Sequence, residues 1–221
     1  MDFVDNGFAV LPRVLSGSQC ESAARSIQGA ADDRVGARAL LSEEWCRTLA
    51  RSLRLHRALA RLLPLNAVAA QCTLFEKSPQ RNWLVSLHQD LSIPVQERVV
   101  SDELSGWSEK EGCVFVQPPV SVLESLVAVR VHLDQGGAES GALRVVPGSH
   151  RFGRLVSAQA VALRAERGEV VPEIPRGGAL VMRPLLLHAS SKATAPVARR
   201  VLHFVFGPPQ LPAGLVWKEA I

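Results

Sequence analysis

At about residue 66 the rhythm of this chain changes, and that change limits its fold more than any single residue does. Before it, "SQCESAARSIQGAA" strings helix formers behind Ser18, whose spacing to Glu21 suits a capping box. "SEEWCRTLARSLRLHRALARLLP" then repeats apolar residues at three and four until Pro64. After it, "AVAAQCTLFEK", "NWLVSLHQD", "LVAVRVHLD", "ALRVVPGS", "ALVMRPLLLH" and "RRVLHFVFG" alternate with a period of two, separated by turns such as "DQGGAESG" and "PRGG". Helices first and many short strands afterwards indicate a mainly β fold, a sandwich or barrel with helices packed on one side. At 221 residues the chain fits a single domain spanning 1–221, mainly helical over 1–65 with a β core over 66–210. The stretch "DELSGWSEKEGCVFVQPP" is too long for a tight turn and reads as a functional flap at 95–118.

Several function classes drop out on composition. The formal charge of +4 is spread along the chain, with no Lys/Arg block and no basic stripe with interleaved aromatics, so no nucleic-acid partner is expected. Cys20, Cys46, Cys72 and Cys113 form no CxxC pair, which suits reduced thiols in a cytoplasmic protein better than zinc or disulfides. "MDFVDNGFAV" starts acidic and lacks the pattern of a signal peptide, and no apolar run reaches the ~18 residues that span a bilayer. His56, in an arginine-rich helix, suits a surface or helix-end role, and His150, ending the turn "VPGSH", a structural one.

The chemistry concentrates in "NWLVSLHQD". In a strand, residues i and i+2 share a side, which puts Ser86, His88 and Asp90 on one face and Trp83, Val85 and Leu87 on the other. A third metal ligand must come from elsewhere, and His188, closing the apolar strand "LLLH", is the candidate. Two histidines and a carboxylate form the facial triad of non-haem Fe(II) oxygenases, which leaves positions open for a cosubstrate and O₂. Arg199, eleven positions later, opens the strand "RRVLHFVFG", where its guanidinium can clamp a carboxylate in two parallel bonds. Its neighbour Arg200 must face the opposite side of that strand. Arg130, His132 and Asp134 alternate along one face of another. A polar row is costly to bury unpaired, so it either meets a polar substrate at the barrel mouth or forms a network with the flap.

Taken together, "NGFAVLPRVLS", "HQD", "ESGALRVVPGSHR", "LLLHAS" and "RRVLHF" resemble the phytanoyl-CoA dioxygenase family of Fe(II)/2-oxoglutarate-dependent oxygenases, with Ser140 where the family usually has Asn. The resemblance implies a double-stranded β-helix (a cupin-like jelly roll) with His88, Asp90 and His188 as iron ligands and Arg199 on the distal carboxylate of 2-oxoglutarate. It places Ser190 at a position that contacts the cosubstrate in relatives, and Trp107 where relatives have a pocket tryptophan. Lys77 stands where they often read K-P-P-G, altered here to "KSPQ". Gln71 and Thr73, on the strand before "HQD", are further candidates for bonds to 2-oxoglutarate.

The implied reaction is C–H hydroxylation of a small-molecule substrate, releasing succinate and CO₂. Asp90 favours it over halogenation, because halogenases on this scaffold have a small residue at the carboxylate position. Two alternatives stay open: a cupin-like metal protein that does not use 2-oxoglutarate, and a non-catalytic member of the fold. The sequence leaves the prime substrate and the choice of monomer or homodimer undetermined.

Overall fold

The computed structural model describes residues 3–28, 39–195 and 198–221. Its elements, in chain order, are α1 (Phe3–Asn6), β1 (Phe8–Leu11), α2 (Gly17–Gln28), a 3-10 turn at Leu40–Ser42 and α3 (Glu44–Leu55). There follow β2 (Val68–Lys77), β3 (Val85–His88), β4 (Ile93–Val95), β5 (Ser105–Lys110), β6 (Cys113–Gln117), α4 (Val120–Ser125) and β7 (Val127–His132). The chain closes with β8 (Leu143–Val145), α5 (Ser157–Arg167), β9 (Ala179–Met182), β10 (His188–Ser190) and β11 (Arg199–Gly207).

The major sheet has the order β1-β9-β7-β11-β2, all antiparallel. A second sheet, β3-β10-β8, faces it. Phe8, Ala128, Leu143, Val145, Leu180 and Met182, drawn from both sheets, pack together between them. This is a double-stranded β-helix. Period-two alternation explains why one sheet serves two cores. Val127, Val129, Val131, Leu202, Phe204 and Phe206 point outward and pack with the Leu53, Cys46 and Ile27 side chains of α3 and α2. Their strand neighbours point inward. Phe204 is fully buried with its ring 6.2 Å from that of Phe206. Phe204→Ala is expected to cost about 3–5 kcal/mol of stability, read from urea unfolding.

Local chemistry shifts several expected boundaries. The N-terminal third is not wholly helical, because "FAVL" forms β1 on the edge of the major sheet. The cap of α2 is Ser16 rather than Ser18: Gln19 N donates to Ser16 Oγ (3.3 Å), while Ser16 N donates to Gln19 Oε1 (2.8 Å). That is the reciprocal box, two residues earlier than the Ser18 spacing suggested. Helix α3 ends at Leu55 with His56 as its C-cap, eight residues before Leu63. His150 lies in a short 3-10 turn against Gly7, bonded to Val4 O (3.1 Å).

The 95–118 stretch, expected as a flap, supplies most of a third sheet, β4-β6-β5. Four free thiols are present, three of them buried. Among the described residues no helix is long and apolar enough to cross a membrane.

Candidate metal centre

The strand carrying "SLHQD" is irregular where the chemistry sits. In β10 against β3, His188 pairs with His88 but Ser190 pairs with Val85, so β3 spends three residues where its partner spends two. This bulge breaks the alternation. Val85 and Trp83 therefore line the same cavity as His88, while Ser86 is exposed. The strict two-face assignment of this segment is thus corrected: Ser86 leaves the His88 face and Val85 joins it. The strand also ends at His88, and Asp90 is held just beyond it by a bond from its N–H to Pro184 O (2.9 Å). His188 opens β10 instead of closing a strand, because Leu185–Leu187 form the buried approach to it.

These three residues converge. Ligand atoms of His88, Asp90 and His188 all lie within 4.8 Å of one another. His88 Nε2 is 3.7 Å from Asp90 Oδ1, and His188 Nε2 is 3.8 Å from Asp90 Oδ2. Each ring is oriented by its own backbone. His88 Nδ1 bonds Ser86 O (2.8 Å) and His188 Nδ1 bonds Leu186 O (2.9 Å). A proton held on Nδ1 leaves the Nε2 lone pair directed at the shared centre.

Burial pushes His188 down to about 4, partly offset by Asp90, so its imidazole is neutral at neutral pH. Burial pushes Asp90 upward, but His188, His203, His88 and Arg130 together outweigh it and hold the carboxyl below its usual range. A neutral imidazole beside an ionised carboxylate is the protonation state a divalent metal requires.

Gln89, between the two ligands, points away from them and is buried. Its amide donates to Leu185 O (2.7 Å) and Gly153 O (2.8 Å), and its Oε1 accepts from Leu155 N (2.9 Å). One side chain thus ties the "HQD" segment to the approach of His188. Gln89→Leu keeps the volume and removes all three bonds. It is expected to weaken Co(II) binding by about 10–100-fold and to lower stability by about 1–3 kcal/mol per stranded backbone group. A cobalt titration and urea unfolding measure the two.

The triad forms one wall of a cavity of about 370 Å³. Alternation on β2 places Gln71, Thr73, Phe75 and Lys77 on its wall, and β11 contributes Arg199 and His203. Gln71 Nε2 donates to Thr73 Oγ1 (2.9 Å).

Lys77 pairs directly across from Arg199 and is almost fully buried. Its ammonium donates to Ser190 Oγ (2.6 Å), Gly141 O (3.3 Å) and Ser191 O. Ser190 Oγ in turn donates to Gly141 O (2.8 Å). Gly141 has φ +64°, and a Cβ there would come within 2.6 Å of Ser191 O and 2.9 Å of Lys77 Nζ, which explains the glycine of "ESGALR". Burial lowers Lys77 to about 8, with Arg199 and then Arg130 adding to the shift.

Arg199 is 3% exposed, and its Nε has no hydrogen-bond partner. Among the described residues no carboxylate pairs with it, and burial alone lowers it to about 10. A buried guanidinium and a buried ammonium side by side are costly unless an anion joins them. The donor set and this cation pair fit a divalent metal with a dicarboxylate cosubstrate. Arg200 faces the other way, gripping Asp134 through Nε (2.9 Å) and Nη2 (2.8 Å).

The row Arg130, His132 and Asp134 therefore splits three ways. Arg130 lines the cavity and donates to His203 Nδ1 (2.8 Å). His132 is buried against Gly136, outside the lining, and Asp134 belongs to Arg200. Trp107 also stands outside the lining, half-buried against the apolar cluster beside the small sheet with Arg98 over its ring (5.9 Å). That sheet reaches the cavity through Lys110 and Phe115 instead.

From the sequence, Lys77 has no firm role, His203 is placed on the Arg199 face without a role, and Gln89 has none. The alternation of "QCTLFEK" and of "RRVLHF" already places Lys77 with Thr73 and His203 with Arg199.

Among solved structures the chain is similar to AviO1 from Streptomyces viridochromogenes Tue57, at 21% identity over 95% of this chain and 93% of that one, with a TM-score of 0.63. It is similar to EctD from S. alaskensis at 16% identity, over 97% and 79% of the two chains, with a TM-score of 0.70. Iron-bound HygX from Streptomyces hygroscopicus matches at 21% identity over 99% and 94%, with a TM-score of 0.65, and HygX also has a structure with nickel and 2-oxoglutarate. These likenesses establish the fold. No curated protein sequence matches the chain. The family model of phytanoyl-CoA dioxygenase matches residues 3–201, nearly the whole length, and the chain belongs to that family.

Proposed function

We propose that this protein is an Fe(II)- and 2-oxoglutarate-dependent oxygenase that hydroxylates an unactivated C–H bond of a small molecule, releasing succinate and CO₂. The observation that carries the reading is the pairing of two features in one cavity: the His88, Asp90 and His188 donor set, and the buried cations Lys77 and Arg199, which no carboxylate among the described residues neutralises. Family membership supports it, as does EctD, whose structure with 2-oxoglutarate and 5-hydroxyectoine shares the fold.

When bound, iron supplies the activation of O₂ coupled to oxidative decarboxylation of 2-oxoglutarate. The protein's own groups do the rest by position. Asp90 and His188 present their ligand atoms with protons already off the coordinating positions, and the bond of His88 Nδ1 to Ser86 O turns its Nε2 to the same centre. Arg199 and Lys77 fix the distal carboxylate, with Ser190 holding the ammonium in place and Gln71 and Thr73 offering further polar contacts. The apolar walls around Phe75, Val85, Leu143 and Phe115 exclude water from the reacting carbon. Asp90 occupies the position a halide would need, which favours hydroxylation.

The test is succinate release from 2-oxoglutarate by purified protein with Fe(II), ascorbate and O₂. Turnover that requires both Fe(II) and 2-oxoglutarate is the expected result. Metal binding without any consumption of 2-oxoglutarate would sink the reading in favour of a cupin-like metal protein.

A further inference from the structure

The charge of the cavity exceeds what the metal and cosubstrate can use. Among the described residues its lining holds the buried cations Lys77, Arg130 and Arg199, and the exposed Lys110, against the single carboxylate of Asp90. Fe(II) and the 2-oxoglutarate dianion cancel each other, so their arrival leaves that excess unchanged. A buried excess of positive charge is unfavourable until an anion meets it.

Arg130 is the cation left over. It is 6% exposed, and among the described residues its only hydrogen bond is from Nη1 to His203 Nδ1 (2.8 Å). Phe75 packs on the guanidinium, 5.0 Å from its carbon, and Nε has no partner. Among the described residues, the edge formed by Nε and Nη2 is therefore unused. It is the same edge with which Arg200 grips Asp134 in two parallel bonds, so this fold already shows what such an edge holds.

Arg130 repels Arg199 and Lys77 across the shared cavity, but it enters that cavity from a different strand position. It stands opposite His203, two pleats along β11 from Arg199, a backbone separation of about 13 Å. His203 Nε2 lies 4.0 Å from Asp90 Oδ2, so the Arg130–His203 pair borders the metal centre while Arg199 and Lys77 form the far end. Lys110, exposed on β5, adds a second positive group on the wall supplied by the small sheet.

We infer that the prime substrate is a carboxylate, seated on the Nε–Nη2 edge of Arg130 beside the metal centre and drawn in past Lys110. The inference rests on the oxygenase reading and deepens it by naming the substrate class. A planar carboxylate fits this two-donor edge, and His203 keeps the guanidinium from rotating away.

The experiment uses the whole protein loaded with Zn(II), which does not react with O₂, and saturating 2-oxoglutarate. Calorimetry first records 2-oxoglutarate binding by the wild type; its absence would overturn the underlying reading and the inference with it. Acetate, propionate and benzoate are then tested by ligand-observed NMR, with benzamide and phenyl phosphate beside them. The expected result is binding of at least one carboxylate and none of benzamide.

Arg130→Gln should weaken that binding by more than about 30-fold, the loss typical of a broken buried charge pair, while the 2-oxoglutarate Kd stays within about threefold of wild type. Arg130→Lys, which keeps the charge and loses the fork, should fall between the two and serves if the Gln variant does not fold. Three results would overturn the inference with the oxygenase reading intact. They are a large rise in the 2-oxoglutarate Kd in both variants, phenyl phosphate binding more tightly than every carboxylate, and no carboxylate bound by the wild type at millimolar concentration.

Discussion

Asp90→Ala is expected to reduce succinate release to background while leaving the protein folded. The carboxylate is half-buried and lies within 3.7–4.0 Å of three imidazoles, so its removal takes away the only anion that the described residues place in that cluster. Groups that merely orient metal ligands are worth about 10–100-fold in affinity, and losing a ligand itself should exceed that, so Co(II) binding should weaken by more than about 100-fold.

His88→Ala and His188→Ala should behave alike, with one difference. His188 is 2% exposed and pairs across the sheet with the buried Val145, so its truncation also opens a buried gap and lowers stability. His88 is nearer the surface and its loss should spare stability. Circular dichroism beside the cobalt titration separates the two effects. Retained turnover in both the Asp90 and His88 variants would show that the metal sits elsewhere.

The second large effect belongs to the far end of the cavity. Arg199→Gln should raise the 2-oxoglutarate concentration needed for half-maximal succinate release by more than about 30-fold, as expected when one partner of a buried charge pair is removed. The maximal rate should change much less, because this contact is made equally before and during the reaction. Lys77→Met should act in the same direction. Its ammonium is already pushed down to about 8 by burial and then by Arg199 and Arg130, so in the free protein the charge is lost as pH rises through that value. Affinity for 2-oxoglutarate is therefore expected to fall above about pH 8 in the wild type, and to lose that pH dependence in Lys77→Met. An unchanged 2-oxoglutarate requirement in Arg199→Gln would assign the distal carboxylate to Lys77 alone.

Much of this was open to reading along the chain. The switch from a spacing of three and four to a spacing of two separates the outer helices from the β-helix, because side-chain direction follows backbone period whatever the chain does later. The donor types are equally local facts: a histidine and a carboxylate two positions apart, a second histidine, and an arginine shortly after it. The alternation of β2 and β11 also determined that Lys77 shares a wall with Gln71 and Thr73, and that His203 shares one with Arg199.

Tertiary structure alone decided how those walls meet. Lys77 and Ser190, 113 positions apart, touch because β2 and β10 border one cavity, and Arg130 meets His203, 73 positions away, through the register of β7 on β11. Cross-strand register is settled by pairing between distant segments, and no period within one segment encodes it. The bulge in β3 is of the same kind. A regular strand would have turned Val85 away from His88, and only the pairing with β10 brings both into the cavity. Likewise the 95–118 segment builds a small sheet because β4, β5 and β6 find one another, so Lys110 and Phe115 reach the site where Trp107 does not. Residue chemistry selects which groups can bind a metal and a carboxylate. The pairing of strands selects which of them are close enough to act together.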